Sequence, residues 1–190
     1  MAAPSQKMTA LEFLEWERSQ STRHEFVNGE VFAMAGASRA HVRTVLNLSR
    51  ELDSALRGRA CEALAVDMKL QVEALGRFFY PDLFVTCSAR DRKPTDVMSE
   101  PTVVFEVLSD STAAYDRGDK FWAYRQLPTL QEYVLVDPER KRIEVFRREP
   151  KSSTWAYEPL ETGAALTLKS LQVQLAWSAV FESVELAPVS

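Results

Sequence analysis

Two carboxylates stand in apolar, strand-like runs of the sequence, where acidic side chains are out of place. Asp82 follows Pro81 in the run FFYPDLFV, and Glu106 interrupts the run VVFEVL. Burying an unpaired carboxylate costs free energy, so each needs a cation, hydrogen-bond donors or a raised pKa. If both runs belong to one sheet, the two side chains can hold a divalent cation together. Oxygen ligands of this type favour magnesium or manganese over zinc.

Two further residues extend this candidate site. Glu25 is a third acidic candidate, and Lys120 shares a helical face with Tyr124, four residues later. A lysine beside metal-bound carboxylates can position a water and stabilise negative charge developing on a phosphate. Each residue alone has a plainer interpretation: Asp82 as a turn acid, and Lys120 as a surface lysine paired with Asp116.

The histidines and cysteines show no metal-ligand spacing. His41 falls on the apolar side of a predicted helix, which favours a core histidine, and His24 is isolated. Cys61 and Cys87 lie in apolar contexts outside any CxxC or Cys/His pattern, so we expect two free, buried thiols.

The first elements that must position the site carry clear local signals. Thr9 is expected to cap a helix reaching about Arg18, with Glu12 completing a capping box. Asn28-Gly29 separates two short β-prone runs and predicts a hairpin, because both turn positions need positive φ.

Residues 38–57 change to a helical period of 3.6. The apolar face is predicted to hold Val42, Val45, Leu48, Leu52, Ala55 and Leu56. The opposite side carries an arginine stripe, formed by Arg39, Arg43, Arg50 and Arg57. Such a stripe is either a solvated helix face or a surface for the nucleic-acid backbone.

The rest of the chain alternates strands with one more long helix. Strands are predicted at about 61–73, 78–87, 102–109, 132–136, 142–147, 155–158 and 166–168, helices at about 112–127 and 177–184. The helix between 102–109 and 132–136 is a crossover that makes those strands parallel. The order predicts an α/β fold with a central mixed sheet flanked by helices, an N-terminal hairpin and extra C-terminal strands.

Length and composition limit the classes of protein to which the chain can belong. The chain has 190 residues, 46% of them hydrophobic, and a formal net charge of −4. We expect one domain over residues 9–186 after a disordered segment, 1–8. The acidic balance argues against binding polyanions by bulk charge, although a local basic face stays open. Without an apolar run of membrane-spanning length or a signal-peptide core, we expect a cytoplasmic protein and no membrane partner.

Taken together, the acidic residues resemble the PD-(D/E)XK nuclease signature, in which a carboxylate and a Glu-x-Lys triplet lie on adjacent strands. More specifically, the blocks HEFVNGE, YPDL, VFEVLSDST, DRGDK and EYVLVDP resemble, in order, those of the Uma-two family of restriction-endonuclease-like proteins. The resemblance covers roughly residues 9–185, and the stretch 106–120 is its most specific part.

This resemblance implies a restriction-endonuclease-like fold and Mg²⁺-dependent cleavage of DNA phosphodiester bonds, with Mn²⁺ as a substitute. It implies that Asp82, Glu106 and the Val107 carbonyl bind the metal and that Glu25 is an outer acidic residue. Leu108 stands where the broad nuclease signature has its lysine, and the resemblance makes Lys120 the replacement.

The DNA contacts and assembly are further expectations. The residues expected to contact the DNA backbone are Arg39, Arg43 and Arg50. A homodimer is expected for cutting two strands by symmetry. Two other functions stay open at this point: a nuclease-fold binding or assembly module without activity, favoured by Leu108 and the acidic charge, and a metal-dependent phosphoesterase acting on small nucleotides.

Overall fold

A computed structural model describes residues 7–34, 36–93 and 96–185. The helices are α1 (Ala10–Glu17), α2 (Arg39–Leu56), α3 (Ala113–Tyr115), α4 (Phe121–Tyr124) and α5 (Trp177–Val180), with a π-helical turn (Asp116–Lys120) between α3 and α4 and a 3₁₀ turn at Glu73–Leu75. Within the described ranges, no helix combines the length and apolarity needed to cross a membrane. Residues 1–6, part of the segment predicted to be disordered, lie outside these ranges, as do residues 186–190.

Thirteen strands are present in the described ranges. They are β1 (His24–Val27), β2 (Glu30–Ala33), β3 (Glu62–Ala65), β4 (Lys69–Val72), β5 (Arg77–Phe79), β6 (Leu83–Thr86), β7 (Val97–Met98), β8 (Pro101–Val107), β9 (Glu132–Asp137), β10 (Arg142–Arg148), β11 (Trp155–Pro159), β12 (Leu166–Leu168) and β13 (Val173–Leu175).

The strands form three sheets. A six-stranded sheet has the order β11-β10-β9-β8-β6-β3, a five-stranded sheet the order β2-β1-β5-β4-β7, and β12 pairs with β13. Strand β8 runs parallel to β9, as the predicted crossover requires. The mixed α/β architecture predicted from the order of elements is thereby confirmed.

The six-stranded sheet is covered on both faces. One face packs against α2, the β12–β13 pair and α5. The other packs against the helical segment after β8 and against strands of the five-stranded sheet. Because both faces are apolar, an acidic side chain on this sheet is forced into the interior unless it lies at a strand end.

The N-terminal signals are confirmed. Asn28 and Gly29 have φ values of 55° and 86°, as the hairpin turn requires. Thr9 and Glu12 form the reciprocal capping box of α1. Phe13 on α1 stacks on Phe26 of β1 with ring centroids 4.9 Å apart, so α1 holds the hairpin in place.

Two of the predicted strands are each divided into two shorter strands that belong to different sheets. The run 61–73 is broken at Val66 and Asp67, which have φ values of 41° and 60°. The run 78–87 is broken around Pro81, which has no N–H to give to a sheet ladder. The chain therefore passes from the five-stranded to the six-stranded sheet immediately before Asp82.

Helix α2 follows the predicted period with one correction. Leu48 and Leu52 are fully buried, but Val42 is 47% exposed rather than part of the core. The buried face runs through Val45 and Leu56 and continues at its N-terminal end to His41. Val42 therefore lies at the flank of this face, beside the arginine stripe.

The expectation of two free thiols is wrong, because Cys61 and Cys87 form a disulfide. The antiparallel register pairs Glu62 with Thr86, so the next residues outward along β3 and β6 face each other directly. Their separation of 26 residues in sequence carries no sign of this pairing. Only the strand register brings the sulfur atoms together.

Candidate active site

Asp82 and Glu106 lie side by side at one end of the six-stranded sheet. Strand β6 starts just after Asp82, and its Leu83 pairs with Phe105 of β8. The Asp82 N–H points to Glu106 Oε2 at 3.4 Å, and the Val107 N–H donates to Asp82 Oδ2 at 2.7 Å. The Glu106 carboxylate therefore lies beside the Asp82 main chain, and the Asp82 carboxylate lies beside the Val107 main chain.

The Glu106 carboxylate is buried, with only 2% of the residue exposed. It lies on the same face of β8 as Val104 and Leu108, toward the helical segment that follows the strand. Its Oε1 accepts a hydrogen bond from the Tyr124 hydroxyl at 3.0 Å. Burial raises the pKa of Glu106 well above its usual value; the Lys120 ammonium opposes the rise, and Asp82 adds to it.

Lys120 is a buried cation rather than a surface lysine. Its Nζ lies 2.9 Å from Glu25 Oε1, 2.9 Å from Glu106 Oε1 and 3.8 Å from Asp116 Oδ1. Burial disfavours the ammonium, but the three carboxylates outweigh that cost and hold the pKa of Lys120 well above its ordinary value. Lys120 thus joins the hairpin strand β1, strand β8 and the crossover segment at one point.

The crossover segment reaches this point through its π-helical turn. The predicted helix over 112–127 is observed as α3, the π turn and α4. Asp116, Lys120 and Tyr124, spaced four residues apart, all turn inward. Turns of this type are rare and are frequently found at functional sites. Burial raises the pKa of Asp116, which sequence reasoning had treated only as a surface partner of Lys120.

His41 belongs to the site, which sequence reasoning missed. Its Nε2 lies 3.2 Å from Asp82 Oδ1, and both side chains are partly exposed, at 16% and 17%. Burial disfavours the charged ring, yet Asp82, Asp116 and the Val107 carbonyl outweigh that effect and raise the pKa of His41. The sequence signal for this role was its position at the N-terminal end of the apolar face of α2.

The charges of the site do not balance. Four carboxylates surround Lys120 and His41, from Glu25, Asp82, Glu106 and Asp116. Among the residues that the structure describes, no group of three or more His, Cys, Asp or Glu side chains has the arrangement of a metal site. The carboxyl groups of the site therefore outnumber its cations, and Asp82 is partly exposed among them.

The arginine stripe of α2 is only partly available to a ligand. Arg39 Nη1 lies 2.8 Å from Glu185 Oε2, and Arg50 Nη2 lies 2.7 Å from Glu182 Oε2. Arg43 is exposed and forms no ion pair within the described ranges. The C-terminal segment after α5 therefore neutralises two of the three arginines predicted to contact DNA.

The sequence is similar to that of a known protein family and to two curated proteins. The model of the Uma2 family, described as "Putative restriction endonuclease", matches residues 10–180. The chain belongs to the Uma2 family. Two relatives come from Synechocystis sp. (strain ATCC 27184 / PCC 6803 / Kazusa). "Uncharacterized protein slr1290" is 35% identical over 183 residues, covering 96% of each chain. "Uncharacterized protein sll1609" is 37% identical over 152 residues, covering 78% of this chain and 85% of the relative.

A solved structure extends the Uma2 comparison to the fold. It is a crystal structure from Anabaena variabilis ATCC 29413, described as "a putative nuclease belonging to DUF820". The TM-score is 0.78 at 16% sequence identity, over 94% of this chain and 99% of that one. This Uma2 protein therefore has a nuclease-like fold, as the sequence blocks predicted.

Proposed function

We propose that this Uma2 protein is a metal-dependent endonuclease that hydrolyses DNA phosphodiester bonds. The observation that carries the proposal is the pairing of Asp82 with Glu106 at adjoining strand ends, with the Val107 N–H fixing one of the Asp82 oxygens. A buried carboxylate beside a partly exposed one, with surplus negative charge around them, is a suitable setting for a divalent cation.

The residues present fit Mg²⁺, or Mn²⁺ in its place. Mg²⁺ is commonly bound through one or two carboxylates, keeping waters and substrate phosphate oxygens as its other ligands, so it does not need a cluster of three side chains. Asp82, Glu106 and the Val107 carbonyl would hold it. When bound, such an ion acidifies water and offsets negative charge on the reacting phosphate.

The protein's own residues supply orientation and charge. Lys120 is enclosed by Glu25, Glu106 and Asp116, so its proposed role is to hold the Glu106 carboxylate in place rather than to contact the attacking water. Glu25 anchors the ammonium from the hairpin side. This differs from the sequence-based expectation that Lys120 itself orients the water, because 7% exposure of its side chain leaves little access to a substrate.

DNA is the proposed substrate, and its backbone is proposed to lie along α2. Arg43 is exposed two residues after His41, and Arg39 and Arg50 would add to it once released from their acidic partners. Contacts of this kind give affinity without reading sequence. A homodimer is proposed as the arrangement for cutting both strands.

The decisive experiment is a plasmid-nicking assay with Mg²⁺ or Mn²⁺. We expect metal-dependent nicking by the purified protein. Asp82→Asn and Glu106→Gln remove a ligand charge while keeping the side-chain size, so each should reduce the rate by more than the roughly 10–100-fold typical of residues one step away from a metal.

The matched control is Asp119→Asn, an exposed acid on the same π turn that faces away from the site. It should nick like the wild type. Equal activity in all four proteins would identify a contaminant and overturn the proposal. Failure of the wild type to bind Mn²⁺ by calorimetry in the presence of DNA would favour a noncatalytic binding module, to which Leu108, buried in the core at the position of the signature lysine, also points.

A further inference from the structure

His41 lies where helix α2 meets the carboxylate pair. It occupies the first turn of α2, and its main-chain N–H donates to the Ser38 side chain that caps the helix, at 3.1 Å. The cap fixes the start of the helix, and the buried Leu48 and Leu52 fix its axis on the sheet. The imidazole therefore approaches Asp82 from a rigid element.

Asp82 itself has less support from its own strand. It precedes β6 at the bend where the chain changes sheets, directly after Pro81. Its main-chain hydrogen bonds, from the Val66 N–H at 3.3 Å and to Glu106 Oε2 at 3.4 Å, do not orient its carboxylate. Two contacts hold its carboxylate instead. The Val107 N–H donates to Oδ2 at 2.7 Å, and His41 Nε2 lies 3.2 Å from Oδ1.

The two contacts come from different elements and reach different oxygens of the carboxylate. Val107 belongs to the neighbouring strand β8, and His41 belongs to the helix above the sheet. With one contact, the carboxylate plane can still rotate about the bond that joins it to Cβ. With two, its orientation relative to Glu106 is fixed.

We propose that His41 is a positioning residue of the metal site, which holds Asp82 by a hydrogen bond from Nε2 to Oδ1 so that the carboxylate meets a divalent cation together with Glu106. This inference rests on the proposed function. Residues that orient metal ligands in this way affect metal affinity or activity by about 10–100-fold when they are replaced.

The same contact also joins the metal site to the proposed DNA surface. Arg39 and Arg43 stand two residues before and after His41 on α2. The residue that contacts Asp82 and the arginines proposed to contact DNA therefore lie on the same helix.

The test compares replacements that differ in one property. His41→Leu keeps an apolar side chain of similar bulk and removes the hydrogen bond. The Gln side chain of His41→Gln carries an N–H at nearly the same distance from the main chain as Nε2. In His41→Asn the side-chain N–H is one bond closer to the main chain and cannot reach Asp82 in the same way. Val42→Ala, at an exposed neighbouring position of α2, is the control.

Mn²⁺ binding to the intact protein is measured by calorimetry, with and without a DNA duplex, beside the thermal unfolding midpoint. We expect His41→Leu and His41→Asn to bind Mn²⁺ about 10–100-fold more weakly, and His41→Gln and Val42→Ala to bind it like the wild type. A role in packing alone would lower the unfolding midpoint of His41→Gln as much as that of His41→Asn and would leave their metal affinities equal.

Two outcomes overturn the inference in different ways. If the wild type binds Mn²⁺ and folded His41→Leu binds it equally well, only the positioning role fails. If the wild type does not bind Mn²⁺ even with DNA, the proposed function fails and this inference fails with it. Should His41→Leu not fold, the comparison of Gln with Asn decides, and equal affinity in those two variants refutes the role.

Discussion

Lys120 Nζ lies 2.9 Å from Glu106 Oε1, and both side chains are almost completely buried. The ion pair bridges strand β8 and the π turn, and its second contact, with Glu25, adds the N-terminal hairpin. A buried pair of this type contributes little net stability compared with apolar residues, because both charges lose their hydration. Removing one partner is costly, because the other charge is left buried and uncompensated.

We therefore predict that Lys120→Met destabilises the metal-free protein by about 3–5 kcal/mol. Urea unfolding followed by circular dichroism measures the change. Adding Glu106→Gln to this variant removes the stranded charge and should recover about 1–3 kcal/mol. The comparison double variant, Lys120→Met with Asp119→Asn, should recover nothing, since Asp119 is exposed. Equal recovery in both double variants would contradict a direct Lys120–Glu106 interaction.

The raised pKa of Lys120 predicts a loss of stability at high pH. The folded protein holds this proton more tightly than the unfolded chain, whose lysine has the ordinary value of 10.5. The contribution is therefore complete below that pH and declines as the pH rises toward the folded-state pKa, by up to about 1.4 kcal/mol per pH unit for one group.

The measurement is the free energy of unfolding between pH 9 and 11.5, compared between the wild type and Lys120→Met. Other lysines and the tyrosines, several of which have a raised pKa, titrate over this range in both proteins, so the difference between the two curves reports Lys120. The wild type should decline more steeply above about pH 10.5. Parallel curves would show that the ammonium is no more stable in the folded protein than in the unfolded chain.

The acidic partners of the α2 arginines give a third prediction, for DNA binding. Glu182 and Glu185 occupy the guanidinium groups of Arg50 and Arg39. Replacing both acids by Gln should strengthen binding to a DNA duplex and steepen the dependence of log K on log salt by about 0.9 for each arginine that gains a phosphate. Fluorescence anisotropy over a series of salt concentrations measures both quantities.

The control for this experiment is a double variant with the same change of charge elsewhere. Glu139→Gln with Glu161→Gln removes two exposed acids that form no ion pair within the described ranges. If this control raises the affinity and the salt slope as much as the Glu182/Glu185 variant, the effect is one of total charge. The arginines of α2 would then have no special part in binding DNA.

Much of the fold could be predicted because its signals are local. The Asn28-Gly29 turn and the Thr9 capping box depend on residues within four positions of one another. The parallel pairing of β8 with β9 follows from a single crossover rule applied to a strand, a helix and a strand. Asp82 and Glu106 were recognisable because carboxylates rarely interrupt apolar strands.

The missed features all depend on register between distant segments. The helical periodicity predicts that His41 is a core histidine, and only the packing of α2 on the sheet brings its side chain to Asp82. The Cys61–Cys87 disulfide needs the pairing of β3 with β6. The change of sheet after Val66 lies within a single predicted strand, and periodicity alone cannot locate it.

The π turn also limits how the length of this segment can vary. Its five residues, Asp116–Lys120, sit between α3, which follows strand β8, and α4, which leads into β9. Inserting or deleting one residue there would rotate the flanking helical turns relative to each other by about 100°. Lys120 and Tyr124 would then leave the Glu106 side of the segment together. Homologues that keep this buried ion pair should therefore keep the spacing from Glu106 to Lys120, even where loops elsewhere in the chain gain or lose residues.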